Sequence, residues 1–228
     1  TNSFNTFASV KKTVALTAGQ HVLRLAFDAN AANGYAAGLD WVKVTAVAPE
    51  EPPPPPPPGP ETPITIATQW VSYVRNGTYA NTNFGVDDQM LVKRSNTIGN
   101  TREGYMKFDL SDFTTVSSAK LRLYGRLSDA TEPSVKINVH NASNTTWTEG
   151  GITWNNKPAA NATVRGSLTV TGTANQWYEV DLTSFLQSEF AAGRRVLSLV
   201  LQAPNTSNPW AIFAADSTPD GPRMVITP

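Results

Sequence analysis

The chain has 228 residues, with eighteen basic and eighteen acidic side chains, two histidines and no cysteine. This composition excludes disulfides, thiolate metal sites and a cysteine nucleophile, and the zero net charge argues against general nucleic-acid affinity. No apolar run approaches the roughly 20 residues that a bilayer span requires, so neither nucleic acid nor a membrane is expected as partner.

The chain opens mid-strand, with no initiator Met and no leader-like segment, and reads as a fragment of something longer. Residues 1–49 are few for an independent core, which becomes marginal below roughly 60 residues. KKTVALTAGQHVLRLAFDAN reads as two strands joined by a turn at Thr17–Gln20, and LDWVKVTAV (39–47) as a third. Phe4-x-x-Phe7, VALTAGQHVLRLAF and GLDWVKVT resemble the C-terminal part of a family 6 carbohydrate-binding module, a β-sandwich. That resemblance implies a sugar-gripping aromatic near Phe4, with Gly38 standing where the family carries an Asn. It also implies a calcium-linked role for Asp40, but one carboxylate does not make a site that needs six to eight oxygens. The piece is expected to be poorly folded by itself.

Residues 50–61 contain seven consecutive prolines, Pro52–Pro58. Each lacks an amide donor and fixes its own φ, so the run predicts a stiff polyproline II spacer of roughly 3.1 Å per residue. An SH3-type docking peptide is the bland alternative, but no basic residue flanks the run in the usual way.

Residues 62–228 are ample for one all-β domain, with fourteen basic and thirteen acidic residues and a net charge of +1. Short apolar runs alternate with Gly, Asn, Pro and Ser clusters. The clearest predicted strands span 89–95, 102–110, 119–127, 134–142, 177–183, 196–203, 211–216 and 223–228. A short helix is predicted at Thr183–Ala192, capped by Asp181 or Thr183, with Phe185, Leu186 and Phe190 facing in. Such short, regular strands predict an antiparallel β-sandwich, jelly-roll-like, with one helical segment, beside the short β remnant of a second sandwich.

YVRNGTYANTNFG (73–85), LVK (91–93), REGYMKFDLS (102–111), AKLRLYG (119–125), WTEGGITWNNKPA (147–159), WYEVDLT (177–183) and GPRMVI (221–226) follow one another in a familiar order. Together they resemble the DNRLRE-type domain, also classed as the family 96 carbohydrate-binding module. The resemblance implies a non-catalytic β-sandwich appended to a secreted bacterial polysaccharide-degrading enzyme, with alginate, an acidic uronate polymer, as the ligand. A covalently attached catalytic domain, an extracellular location and a monomeric module follow from the same resemblance.

The first candidate site is Arg75, Lys93, Arg94, Arg102 and Lys107, of which Arg75, Lys93 and Arg102 stand at motif positions. Guanidinium forks grip carboxylates bidentately and Lys adds a mobile charge, a mixture that suits a polyuronate. The competing reading pairs these residues with Glu103, Asp109 or Asp88. The second candidate is Lys120, Arg122, Tyr124 and Arg126, which period two places on one face of one strand. If the next strand pairs with it, Lys136, Asn138 and His140 extend this platform; otherwise it is an ordinary solvated face. Trp147, Trp154 and Trp177 read as core or loop-pinning residues, with WTEGGITWNNKP as a lid over one sandwich end. Tyr79, Phe84 and Trp210 read as solvent-facing.

No GxSxG, HExxH or P-loop pattern supports catalysis, and no cofactor is assigned; Glu149 with Asp181 is the one carboxylate pair left open for a glycosidase. A structural calcium near Asp87, Asp88 and Asp109 has no loop-motif spacing behind it. The expected function is a carbohydrate-binding module for an acidic polysaccharide. The rivals are a spacer or adhesion domain without a sugar site, and neutral-sugar binding through Tyr79, Phe84, Tyr124 or Trp210. The basic residues separate these readings: they either converge on one open surface or scatter into ion pairs.

Overall fold

The structure is a computed structural model that describes residues 8–26, 34, 39–46 and 62–228. It divides into two units, Thr1–Pro56 and Pro57–Pro228. The proline run lies outside the described residues, as does the end of the third expected strand.

In the first unit, the described parts of the strands expected within residues 11–30 and 39–47, residues 11–26 and 39–46, belong to no ladder, while residues 27–30 and 47 lie outside the described residues. A bend at Ala18–Gly19 stands where the turn was expected, with His21 Nε2 2.7 Å from the Thr17 carbonyl oxygen. The apolar side chains that should have formed a core are exposed, Val22 at 97% and Trp41 at 64%. An isolated strand leaves half of its amides and carbonyls unpaired, and among the described residues of this unit no second apolar layer covers these side chains.

The second unit is a two-sheet antiparallel sandwich. Its strands are β1 (Ile64–Ala67), β2 (Trp70–Arg75), β3 (Gln89–Val92), β4 (Arg102–Asp109), β5 (Ser118–Leu127) and β6 (Ser134–Ala142). They continue with β7 (Gly166–Thr171), β8 (Gln176–Asp181), helix α1 (Thr183–Ala191), β9 (Val196–Gln202), β10 (Ala211–Ala214) and β11 (Arg223–Thr227). One sheet runs β2-β4-β9-β6-β7. In the other, β8 pairs with residues 120–125 of β5, while β11 and β10 pair with residues 118–122 and 125–127. Lys120–Arg122 and Gly125 each have two partners, so β10 and β11 must lie end to end along the edge opposite β8. Residues 215–222 are the excursion that separates them.

Alternation places Val135, Ile137 and Val139 of β6 and Leu121 and Leu123 of β5 in the same core, with Met106, Phe108, Leu199 and Phe213. At Gly125 a Cβ would lie 2.6 Å from the Phe213 ring and closer still to the Ile212 carbonyl, so only glycine lets β10 approach there. The outer side of β4 and β9 is covered too. Val74, Tyr105, Trp147, Ile152 and Val200 form a second cluster beneath residues 147–160. Burial on both faces explains why VLSLVLQ does not alternate.

The helix forms with Phe185, Leu186 and Phe190 buried as expected, but its N-cap position is Leu182 rather than Asp181 or Thr183; Asp181 Oδ1, one residue earlier, accepts from the Thr183 amide at 2.8 Å. The pairing of β5 with β6 on which the extended platform was conditional does not occur. β6 pairs with β7 and β9 in the opposite sheet, because the chain crosses the sandwich between them.

Candidate functional site

The inward rows of two neighbouring strands end in arginines. On β2, Val71 and Tyr73 enter the core and Arg75 follows two residues later; on β4, Arg102 precedes Gly104, Met106 and Phe108. The register sets Arg75 directly opposite Arg102. On the other edge of β4, beyond the end of β9, Lys93 bridges to Arg102 through paired backbone bonds of 2.8 and 3.0 Å. Arg102 therefore sits between two cations at one end of the sandwich. Like charges directly opposite one another destabilise a sheet.

Side chains and loops hold the three cations in place. Arg75 Nε donates to the Gly99 oxygen at 2.5 Å, and its guanidinium lies 3.7 Å from the Tyr79 ring centroid. Lys93 Nζ donates to the Asn208 oxygen at 2.5 Å, and Arg102 Nη1 to the Asn100 oxygen at 3.0 Å. Lys93 and Arg102 both face the Trp210 ring at 5.2 Å. Arg94 Nη1 donates to the Pro204 oxygen at 3.1 Å, tying down the 203–210 loop that carries Trp210. Arg102 is only 8% exposed, yet its Nε has no hydrogen-bond partner. A cleft of about 390 Å³ opens beside these groups, lined by Lys93, Arg94, Asn96, Arg102 and Gln202 among others.

The expected ion pairs are not made. Among the described residues, no carboxylate lies within 4.0 Å of Arg75, Lys93, Arg94 or Arg102, and Glu103 pairs with Lys157 instead. Burial, and then the Arg102 charge, lower the Lys93 pKa, with Asp129 and Glu132 opposing at longer range. Burial, and then Arg75, lower that of Arg102, though a guanidinium stays charged.

Other residues expected at a site are placed elsewhere. Lys107 is 3% exposed on the outer side of β4, where Nζ donates to the Trp147 oxygen at 2.6 Å and lies 3.7 Å from the Trp70 ring centroid. It pins the lid. In the second group, Lys120 and Arg122 reach Glu179 of β8 at 3.1 and 3.2 Å, and Arg126 bonds to the Leu127 oxygen. Tyr124 tilts at 44° to Trp177, whose ring also lies near Arg122 and Arg223. Lys120 and Arg122 thus share one carboxylate, while Arg126 pairs with none of the acidic side chains among the described residues. His140, expected beside it, is buried in the other sheet against Asn161.

Among the aromatics, Trp147 is buried and donates to Ser198 Oγ at 2.8 Å, as a pinning residue should. Phe84 does not face solvent freely, since it stacks on buried Tyr73 at 4.4 Å. Tyr79 is 39% exposed. Asp181 accepts from the Thr183 amide at the start of α1, while Glu149 Oε1 accepts from the Val71 amide at 3.1 Å. Asp216, which sequence reasoning passed over, has its pKa pushed up to about 6 by burial and by Glu149. Asp87 accepts from the Tyr73 hydroxyl and Asp109 from Ser111, and no group of three or more potential metal ligands occurs among the described residues. Lys157 was also missed; it lies 54 positions from Glu103, and no local pattern links them.

The domain is a two-sheet sandwich with a basic cleft at one end, formed by strand ends and loops. Residues 63–228 match the family model for carbohydrate-binding module family 96, and the chain belongs to that family. It is 27% identical over 134 residues to a gellan lyase from a Bacillus species, a match spanning 57% of this chain and 5% of that protein. Among solved structures it is similar to the CBM36-1 domain of a multidomain xylanase from the hindgut metagenome of Trinervitermes trinervoides. That match has 9% identity and a TM-score of 0.33, covering 72% of this chain and 96% of that one. The CBM22-1 xylan-binding domain of Paenibacillus barcinonensis Xyn10C matches with 9% identity and a TM-score of 0.33, over 73% of this chain and 96% of that one.

Proposed function

We propose that the module binds an acidic polysaccharide, alginate first, through Arg75, Lys93 and Arg102, with the Trp210 and Tyr79 rings holding these cations in place. One observation carries this reading: three cations occupy adjoining register positions with no carboxylate of the described residues within 4.0 Å of any of them. A carboxylate supplied by the ligand would relieve that repulsion and could bond a guanidinium bidentately. The rings support the same reading, since the cations already face them. Stacking on a neutral sugar would need a free, co-planar aromatic surface.

The module would hold an attached, extracellular polysaccharide-degrading enzyme at its substrate and raise the effective concentration of cleavable chain. The gellan lyase relative supports that context. In the same picture, residues 1–49 would belong to a second, family 6-like module joined through a stiff proline spacer. The test is affinity electrophoresis of the full chain through gels containing alginate, pectin, gellan, agarose or xylan, at low and high salt. Retardation by the acidic polymers that fades with salt supports the reading. Free migration through every gel sinks it and leaves the spacer function, while retardation by xylan at high salt favours neutral-sugar stacking.

A further inference from the structure

The lid motif of residues 147–160 has a consequence for the basic cleft. Glu103 follows Arg102 on β4 and also lines the cleft, so it is the carboxylate best placed to quench the site. It is held on the far side of the strand. Lys157 Nζ forms an ion pair with Glu103 Oε2, and both side chains are largely buried. The Trp154 ring centroid lies 3.4 Å from the Lys157 ammonium. The Tyr105 hydroxyl lies 3.4 Å from the same carboxylate and donates to the Pro158 oxygen at 2.8 Å, fastening the lid at this point.

We propose that Lys157 is a specificity-determining residue of the cleft: by taking up the Glu103 carboxylate, it leaves Arg102 free for an anionic ligand. The inference rests on the reading of the cleft as the polysaccharide site. Without Lys157, an unpaired carboxylate would stand one residue from Arg102 on the opposite face of the strand, well inside a Debye length, and would repel an anionic ligand through the field it adds at the cleft. Lys157 touches no ligand in this scheme. It positions a charge.

The test compares Lys157→Met, Glu103→Gln and the double variant in alginate gels with the full chain, folding being checked by circular dichroism. Lys157→Met should weaken retardation about five- to tenfold, the scale of one partly screened charge at this range. The double variant should return to within about twofold of the parent, a rescue that a merely structural lid contact would not give. Glu103→Gln should bind a few-fold more tightly, with a steeper salt dependence. If Lys157→Met does not fold, Glu103→Gln decides alone, and binding equal to the parent overturns the inference. A retarded parent with an unchanged Lys157→Met, or with no rescue in the double variant, overturns this inference and leaves the cleft reading standing. A parent that migrates freely overturns both.

Discussion

Arg75 and Arg102 face each other across β2 and β4, the last and first residues of their strands, and no carboxylate lies between them. Arg102 is the more costly of the two, being nearly buried with its Nε unpaired. Replacing it with Met should therefore raise stability by about 1 kcal/mol in a denaturant titration, while abolishing retardation by alginate. A lower unfolding midpoint would show that the arginine is structural.

Trp210 serves two cations at once, Lys93 and Arg102. Trp210→Ala should weaken binding to acidic polymer by about tenfold as both lose their wall, and Trp210→Phe should recover part of it. Equal affinities for the three proteins in gel retardation would remove Trp210 from the site.

Lys107 carries a charge beside the site's sequence motif but acts on the opposite side of the sheet. Lys107→Ala deletes a buried stem and leaves the Trp147 carbonyl without its donor, which should cost about 2–4 kcal/mol. Affinity per folded molecule should not change, as thermal melts and retardation measured together will show.

Lys120 and Arg122 share Glu179 on an exposed strand face. Lys120→Ala should change stability by less than about 1 kcal/mol, as is usual for exposed pairs, and should leave retardation by alginate unaltered. A clear loss of binding would return the second candidate group to the site.

Asp216 lies in the excursion between β10 and β11, and its folded pKa of about 6 stands above the ordinary carboxylate value of 3.8. The folded state therefore holds this proton more tightly than the unfolded chain. Its contribution to stability is full below pH 3.8 and is lost as pH rises through about 6. Relative to Asp216→Asn, the parent should lose stability between roughly pH 4 and 6; parallel curves would show that the carboxyl does not titrate in that window.

Much of the sandwich is legible in the chain. Alternating runs such as AKLRLYGRL commit one face to a core because successive side chains point to opposite sides of a strand. The start of the helix is local in the same sense, since Asp181 accepts from the Thr183 amide two positions on, whereas the need for Gly125 is set by Ile212 and Phe213 of a strand far along the chain. β1, β2 and β7 are less legible, β1 being short and mostly exposed and β2 and β7 the short edge strands of the β2-β4-β9-β6-β7 sheet. The motif positions Arg75, Lys93 and Arg102 also stood out, as did Trp210. Sequence could not say which charges are compensated. That depends on partners far apart in the chain: Glu103 turned toward Lys157, Lys120 brought to Glu179, β6 carried into the other sheet. Local pattern determines which side of a strand a residue occupies, because the backbone repeat is fixed by covalent geometry. Only the tertiary register decides what stands opposite, and in this protein that difference separates an ion pair from an open cationic cleft.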